Sequence, residues 1–309
     1  MKKSVASIIT LFILLFGVPR QGLTQNHTLT ASITNQPDSP VIIGWIEGDN
    51  FTKTDSAFAV NGEVKFSLPE NSAPAVVRMI FGLTPYARIM KEDPQQLDLI
   101  FNNEDIEIVL DFKDPEASLR VIHSEENRLW YDFLRRQKEY EKALSLMENE
   151  VNLLWQRNDS AKAVQASDEF NQIQMDWDQR VTQIVQQNEG TYAAKLISIK
   201  RKPMIDAFLS KEERLTSLQK TYLDNVDFSD ESLIPSSAYT DKIFDYLVLF
   251  NHPGLSQEQR SVAYKKAVDV VLSKTGSNPK VNAFVKAYLL HGFEVLDMKD
   301  VQEHIRNKR

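Results

Sequence analysis

The chain of 309 residues contains no cysteine. That absence removes every chemistry that runs on sulfur. Thiol–disulfide exchange needs a thiolate nucleophile. Sulfur-ligated zinc and iron–sulfur centres need thiolate ligands. Cysteine peptidase and peroxidase mechanisms lose their nucleophile, and a lipid anchor on an N-terminal cysteine has nothing to attach to. Glycine is scarce as well, at 10 residues. None cluster as a phosphate-cradling loop requires, and no G-x-S-x-G marks an acyl-transfer serine. The five histidines are His27, His123, His252, His291 and His304. No two lie three or four apart, so no helix turns two imidazoles toward one metal. Only the fold can decide whether His291 and His304 meet. Positive charge is the minority sign, with 36 Lys and Arg against 43 Asp and Glu. An acidic chain has no basic field to draw nucleic acid or an anionic membrane surface. We therefore assign no catalytic, cofactor-binding or metal-ligating residue, no cofactor and no nucleic-acid partner from the sequence.

What is present begins with an export signal. Lys2 and Lys3 precede an apolar run over residues 5–18, which Arg20 closes. A charged segment followed by a short apolar one is the pattern of a secretory signal peptide. The run is shorter than the ~20 residues of a spanning helix, so cleavage near Gln25 is expected, with no transmembrane helix in the mature chain. Loss of Lys2, Lys3 and Arg20 takes the net charge from −7 to near −10. The expected location is the periplasm or outer envelope, without lipidation. Hydrophobic residues make up 42% of the chain, including 16 Phe, 9 Tyr and 4 Trp, which is enough for ordinary packed cores.

Two halves follow the signal segment of residues 1–25. Over residues 26–123 the apolar period is two, and strands are predicted at 28–33, 41–46, 52–60, 63–68, 75–81, 96–101, 106–112 and 117–122. Asn61-Gly62 between two of them suits the positive φ angles of a tight hairpin turn. Asn102-Asn103-Glu104-Asp105 makes a second turn. Over residues 124–309 the period becomes helical. Leu129, Phe133, Tyr140, Leu144, Met147, Val151 and Leu154 share one face, and Ala166, Phe170, Ile173, Trp177, Val181 and Ile184 share another. Arg157-Asn158-Asp159 separates them, so a long antiparallel helical hairpin is predicted. Further helices are predicted at 191–200, 211–225, 239–250, 257–274, 279–291 and 299–307, two of them behind capping-box spacings at Ser210/Glu213 and Ser256/Gln259. The fold class is α+β: a small antiparallel β sandwich or barrel, then an all-α helical domain.

Three clusters invite a functional reading. Asp224, Asp227, Asp230 and Glu231 lack the glycine and ligand spacing of a calcium loop, and read as a solvated connector. Trp130, Tyr131 and Phe133 could line a groove, but aromatics at helical spacing more often pack, here between sheet and helices. A carboxylate pair for glycoside hydrolysis needs no sequence proximity, and nothing points to one.

Several short motifs occur in a fixed order: Asp55-Ser56, Asn61-Gly62-Glu63-Val64-Lys65-Phe66, Asp98 through Ile108 with its polar tip, and His123-Ser124-Glu125-Glu126-Asn127 leading into the long helix. In this order they resemble the N-terminal β domain of unknown function found in secreted Bacteroidetes thioredoxin-like proteins. Val64 within the turn pattern and His123 in place of a glycine are departures. Tyr222 through Asp230 and Ile234-Pro235-Ser236-Ser237-Ala238-Tyr239 are similar to that family's helical connector. The resemblance implies that a thioredoxin domain with C-x-x-C would follow a stretch like residues 292–305, whereas this sequence reaches Arg309 without one. The functional expectation is a non-catalytic exported envelope protein that binds a protein or ligand. The alternative is a truncated or split thiol–disulfide oxidoreductase. The resemblance also implies a docking face for an envelope partner on the C-terminal helices, with Phe293, Val295, Leu296, Val301 and Ile305 as its apolar surface.

Overall fold

The computed structural model describes residues 26–71 and 73–308; the signal-peptide reading of residues 1–25 lies outside them. Among the described residues eight strands form: β1 (Asn26–Thr34), β2 (Val41–Glu47), β3 (Asn50–Ala57), β4 (Glu63–Pro69), β5 (Ala75–Ile80), β6 (Gln96–Phe101), β7 (Ile106–Asp111) and β8 (Arg120–His123). They build two four-stranded sheets, ordered β4-β1-β7-β8 and β3-β2-β5-β6. Alternation explains the sandwich. Val64, Phe66 and Leu68 of β4 are buried while Glu63, Lys65 and Ser67 are exposed, as period-two side chains require. Leu29, Ala31 and Ile33 of the first sheet and Val77, Met79, Leu99 and Phe101 of the second meet in one core.

The pairing departs from the sequence reading in two places. Asn61 and Gly62 do take positive φ, 55° and 80°, and Val60 and Glu63 bond across the turn at 2.8 and 3.0 Å. Yet the turn does not open into a hairpin ladder, because β3 and β4 belong to different sheets. β3 is polar and exposed through Thr52–Ser56, so pairing with it would leave the apolar face of β4 bare. β4 instead pairs antiparallel with β1, Phe66 opposite Leu29. The Asn102–Asp105 turn likewise crosses from one sheet to the other. It delivers β7 parallel to β1, with Ile108 beside Ala31, so the sheets are not purely antiparallel.

Among the described residues there are also ten α-helices: α1 (Pro85–Met90), α2 (Pro115–Ser118), α3 (Glu125–Gln156), α4 (Ser160–Gln187), α5 (Tyr192–Ile199), α6 (Lys211–Thr221), α7 (Ala238–Val248), α8 (Gln257–Thr275), α9 (Pro279–Val295) and α10 (Lys299–Asn307). The eight from α3 onward sit where periodicity puts them, and both capping boxes form. α1 and α2 were not expected, and α2 delays the last strand. Each begins with a capping residue followed by proline, Thr84-Pro85 and Asp114-Pro115, whose side chains accept from the Ala87 and Ala117 amides at 3.1 Å; that pair is a helix-start signal. α3 and α4 form the predicted hairpin, with the Trp177 ring stacked on Phe133 and Tyr140.

The helices pack on the outer face of the second sheet. Ile46, Val76 and Ile100 leave the sandwich core and join Tyr192, Leu196, Tyr239 and Ile243. Four residues fasten the seam. Ser124, at φ 138°, donates its hydroxyl to Glu104 Oε1 at 2.5 Å, and the Glu104 carboxylate also accepts from the Glu125 and Glu126 amides. An anion there complements the positive end of α3. Glu126 is buried and accepts from the Tyr192 and Ala193 amides at 3.0 and 2.7 Å, fixing the start of α5. Asn127, wholly buried, accepts from the Ile100 amide at 2.8 Å and donates to the Ile100 carbonyl at 2.7 Å. Its amide acts as a one-residue strand on the open edge of β6. Two backbone bonds add to the seam: Val76 N–H to the Pro235 carbonyl and Gly48 N–H to the Ser236 carbonyl, both 3.0 Å.

Asn127→Ala leaves both Ile100 backbone groups buried and unpaired, and is expected to lower unfolding free energy by about 2–4 kcal/mol. Asn127→Asp should cost at least as much at neutral pH, since it sets a carboxylate against the Ile100 carbonyl. Urea denaturation checks both; a loss under about 1 kcal/mol for Asn127→Ala would show the clamp to be dispensable.

Candidate ligand-binding cavity

A cavity of about 710 Å³ lies between the outer face of β5–β6 and helices α3, α5 and α7. Its position follows from mixed chemistry on the sheet. Val76 and Ile100 are apolar and covered by helices, but Arg78 and Asp98 lie beside them on the same face. The guanidinium donates to both Asp98 oxygens, at 2.6 and 2.7 Å. That pairing is the main reason the Arg78 pKa is raised. Tyr131 donates its hydroxyl to the Asp98 carbonyl at 2.6 Å.

α7 forms the facing wall. Tyr239, Lys242, Ile243 and Tyr246 make its buried stripe, an i, i+3, i+4, i+7 spacing. Lys242 is only 4% exposed. Its ammonium donates to the Arg201 carbonyl, just past α5, at 2.6 Å and lies 4.3 Å from the Tyr222 ring centroid. A cation at a helix C-terminus is favourable, but burial pushes the Lys242 pKa down to about 8. Asp241 and Asp245 project from the same helix into the cavity. Burial raises the Asp241 carboxyl, opposed by the Ser237 hydroxyl, which donates at 2.8 Å. Tyr222 donates to Asp245 at 3.1 Å; its own pKa is pushed up, chiefly by burial. Lys200 lies over Trp130, 5.6 Å from the ring centroid, and Lys202 pairs with Glu141 at 3.0 Å.

Five carboxylates line the space: Asp98, Glu116, Glu141, Asp241 and Asp245. Four lysines oppose them: Lys138, Lys200, Lys202 and Lys242. Among the described residues no histidine lines it, and its two serines are engaged, Ser236 with the Leu233 carbonyl and Ser237 with Asp241. The arrangement holds charge of both signs; its serine–carboxylate contact, Ser237 to Asp241 at 2.8 Å, has no histidine beside it among the described residues.

The groups weighed from sequence lie elsewhere, with one exception. His304 sits 2.7 Å from Asp269, and His27 packs edge-on against Phe101. Among the described residues, no cluster of three or more metal-ligating side chains occurs. Asp224, Asp230 and Glu231 pair with Lys274, Lys195 and Lys280 at 2.9, 2.8 and 2.7 Å, as befits an ion-paired connector. The exception is the aromatic trio. Tyr131 packs into the sandwich core and Phe133 into the helical hairpin, while Trp130 and Tyr131 also line the cavity. On the C-terminal helices the expected docking face is largely internal. Phe293, Val301 and Ile305 are buried against residues such as Tyr264 and Val268, and only Val295 and Leu296 stand exposed. Lys242, Asp241, Asp245 and Tyr222 escaped the sequence reading as site residues. The available sign was Lys242 itself, a charged residue on the apolar stripe between Tyr239 and Tyr246.

Lys242 generates a pH signature. Between about pH 8 and its unfolded pKa of 10.5, the unfolded chain keeps a proton that the folded chain has released, so stability rises with pH. Relative to Lys242→Met, the native protein should gain about 2–3 kcal/mol between pH 8 and 10, read by urea denaturation at stepped pH. A difference flat across that window would contradict the burial of the ammonium. No family model matches this chain, and no curated protein or solved structure shows significant similarity to it.

Proposed function

We propose that this protein is a non-catalytic, exported envelope protein that works by binding, at the cavity between the second sheet and helices α3, α5 and α7. One observation carries the reading. The cavity has the size of small-molecule sites, which run about 300–1,000 Å³, and it is lined by charged side chains, yet among the described residues no histidine lines it and its serines are engaged, Ser236 by the Leu233 carbonyl and Ser237 by Asp241. Export rests on the charged and apolar pattern of residues 2–20. Kinship with the β domain and helical segment of secreted Bacteroidetes thioredoxin-like proteins rests on the order of the short motifs. Ser124–Asn127, the Asn102–Asp105 tip and Pro235-Ser236 all act in holding sheet to helices, so what the resemblance carries is architecture rather than chemistry. The net charge of −7 speaks against nucleic acid as the bound partner.

The test is a thermal-shift panel on the purified chain covering short peptides, sugars, nucleotides and acyl chains. At about 100 times Kd a bound compound should raise Tm by roughly 5 °C. Gln137→Trp, which fills the cavity from its α3 wall, should abolish the rise while leaving the circular dichroism of the free protein unchanged. No rise with any class, or a rise that Gln137→Trp leaves intact, would sink the binding reading.

A further inference from the structure

We infer that the cavity binds a short peptide with free termini, its α-ammonium at Asp241 and Asp245 and its carboxylate at Lys200 and Lys138. This rests on the binding reading above and adds the ligand's chemistry.

The charges already satisfied inside the cavity define what is left. Asp98 is neutralised by Arg78, Glu141 by Lys202, and the Lys242 ammonium is held by the Arg201 carbonyl. Glu116 stands apart on α2 and, like Asp241, Asp245 and Lys138, is exposed to solvent. Asp241 and Asp245 remain on one wall, one helical turn apart on α7. Their hydrogen bonds come from neutral hydroxyls, those of Ser237 and Tyr222. Among the described residues neither forms a salt bridge, and neither do Lys138 on α3 and Lys200 after α5, on the other walls. Lys200 is close enough for its charge to act on Asp241, while Asp241 and Asp245 are also within reach of Arg78 and Lys242, respectively, two cations already bonded elsewhere. A ligand of one charge sign would satisfy one wall and desolvate the other unpaired, which is costly. A zwitterion satisfies both.

The aromatic rings argue against stacked ligands. Lys200 and Phe133 both pack against Trp130. Lys242 and Tyr246 both pack against Tyr222. The Tyr131 ring is buried in the sandwich core. Sugars and nucleobases bind largely through open aromatic faces, and these faces are occupied. Size favours several residues over one. An extended tripeptide spans about 10 Å, which a cavity of about 710 Å³ accommodates.

The experiment offers the full chain three pooled tripeptide libraries: free termini, N-acetylated and C-amidated. Retained species are read by mass spectrometry and the best are titrated calorimetrically. Free-terminus peptides should be retained, with each blocked form at least tenfold weaker. Asp241→Asn should weaken free peptides about tenfold and leave N-acetylated ones unchanged; Lys200→Met should do the same for free against C-amidated peptides. Equal retention of blocked and free pools would overturn the assignment. So would binding of a sugar, nucleotide or acyl chain at this cavity with no tripeptide retained, an outcome that leaves the broader binding reading standing. If no compound of any class binds, both fall together.

Discussion

The first turn of α3 is spent on the β sandwich, and the remaining helices take their positions from that. Asn127 closes the edge of β6 through both polar groups of Ile100, while Glu104 reaches from the sheet-crossing turn to hold the Ser124 hydroxyl and two helix-start amides. A buried amide that satisfies a backbone donor and acceptor at once tolerates little displacement, because each group left unpaired in the interior is costly. Ser124 accepts a backbone angle that a non-glycine residue seldom adopts, and its bonds to Glu104 and Asn127 hold it there. Glu126, next in line, is spent on the start of α5.

From α5 the dependence continues into the cavity. Its C-terminal end presents the Arg201 carbonyl that holds Lys242, and Lys200 lies over Trp130. The cavity exists because the outer face of the second sheet is not uniformly apolar. Ile46, Val76 and Ile100 draw helices down onto it, whereas the Arg78–Asp98 pair, half-buried and doubly bonded, cannot be covered by apolar side chains without loss of hydration. The helices therefore cover the apolar part and leave a polar recess beside it. The lining is close to neutral because its charges arrive from five different segments in opposing signs. That is an environment suited to a zwitterion rather than to phosphate or a polyamine.

The two halves of the fold were legible to different depths. Strand positions followed from alternation, and the helical hairpin from two apolar stripes around Arg157-Asn158-Asp159. The two extra helical turns were legible as well, since Thr84-Pro85 and Asp114-Pro115 each set a capping residue before a proline, although no helix was predicted at either. What escaped was partnership. The Asn61-Gly62 turn has the backbone angles its residues demand, yet which sheet receives each arm depended on where β1 lay. The same holds for the C-terminal helices: the apolar face of Phe293, Val301 and Ile305 was plain, and only packing showed that it closes against residues such as Tyr264 and Val268 of α8.

By itself the sequence determined the exclusion of thiol chemistry, the acidic charge, the period of the major elements and the two capping boxes at Ser210 and Ser256, because these depend on residue identity and on neighbours three or four positions away. Tertiary structure alone decided that both polar turns cross between sheets, that Asn127 serves as a surrogate strand, and that Asp98, Trp130, Lys200, Asp241 and Lys242 face one recess. Those facts join residues far apart in the chain, and they arise from competition among elements for a limited apolar surface, which no local spacing records.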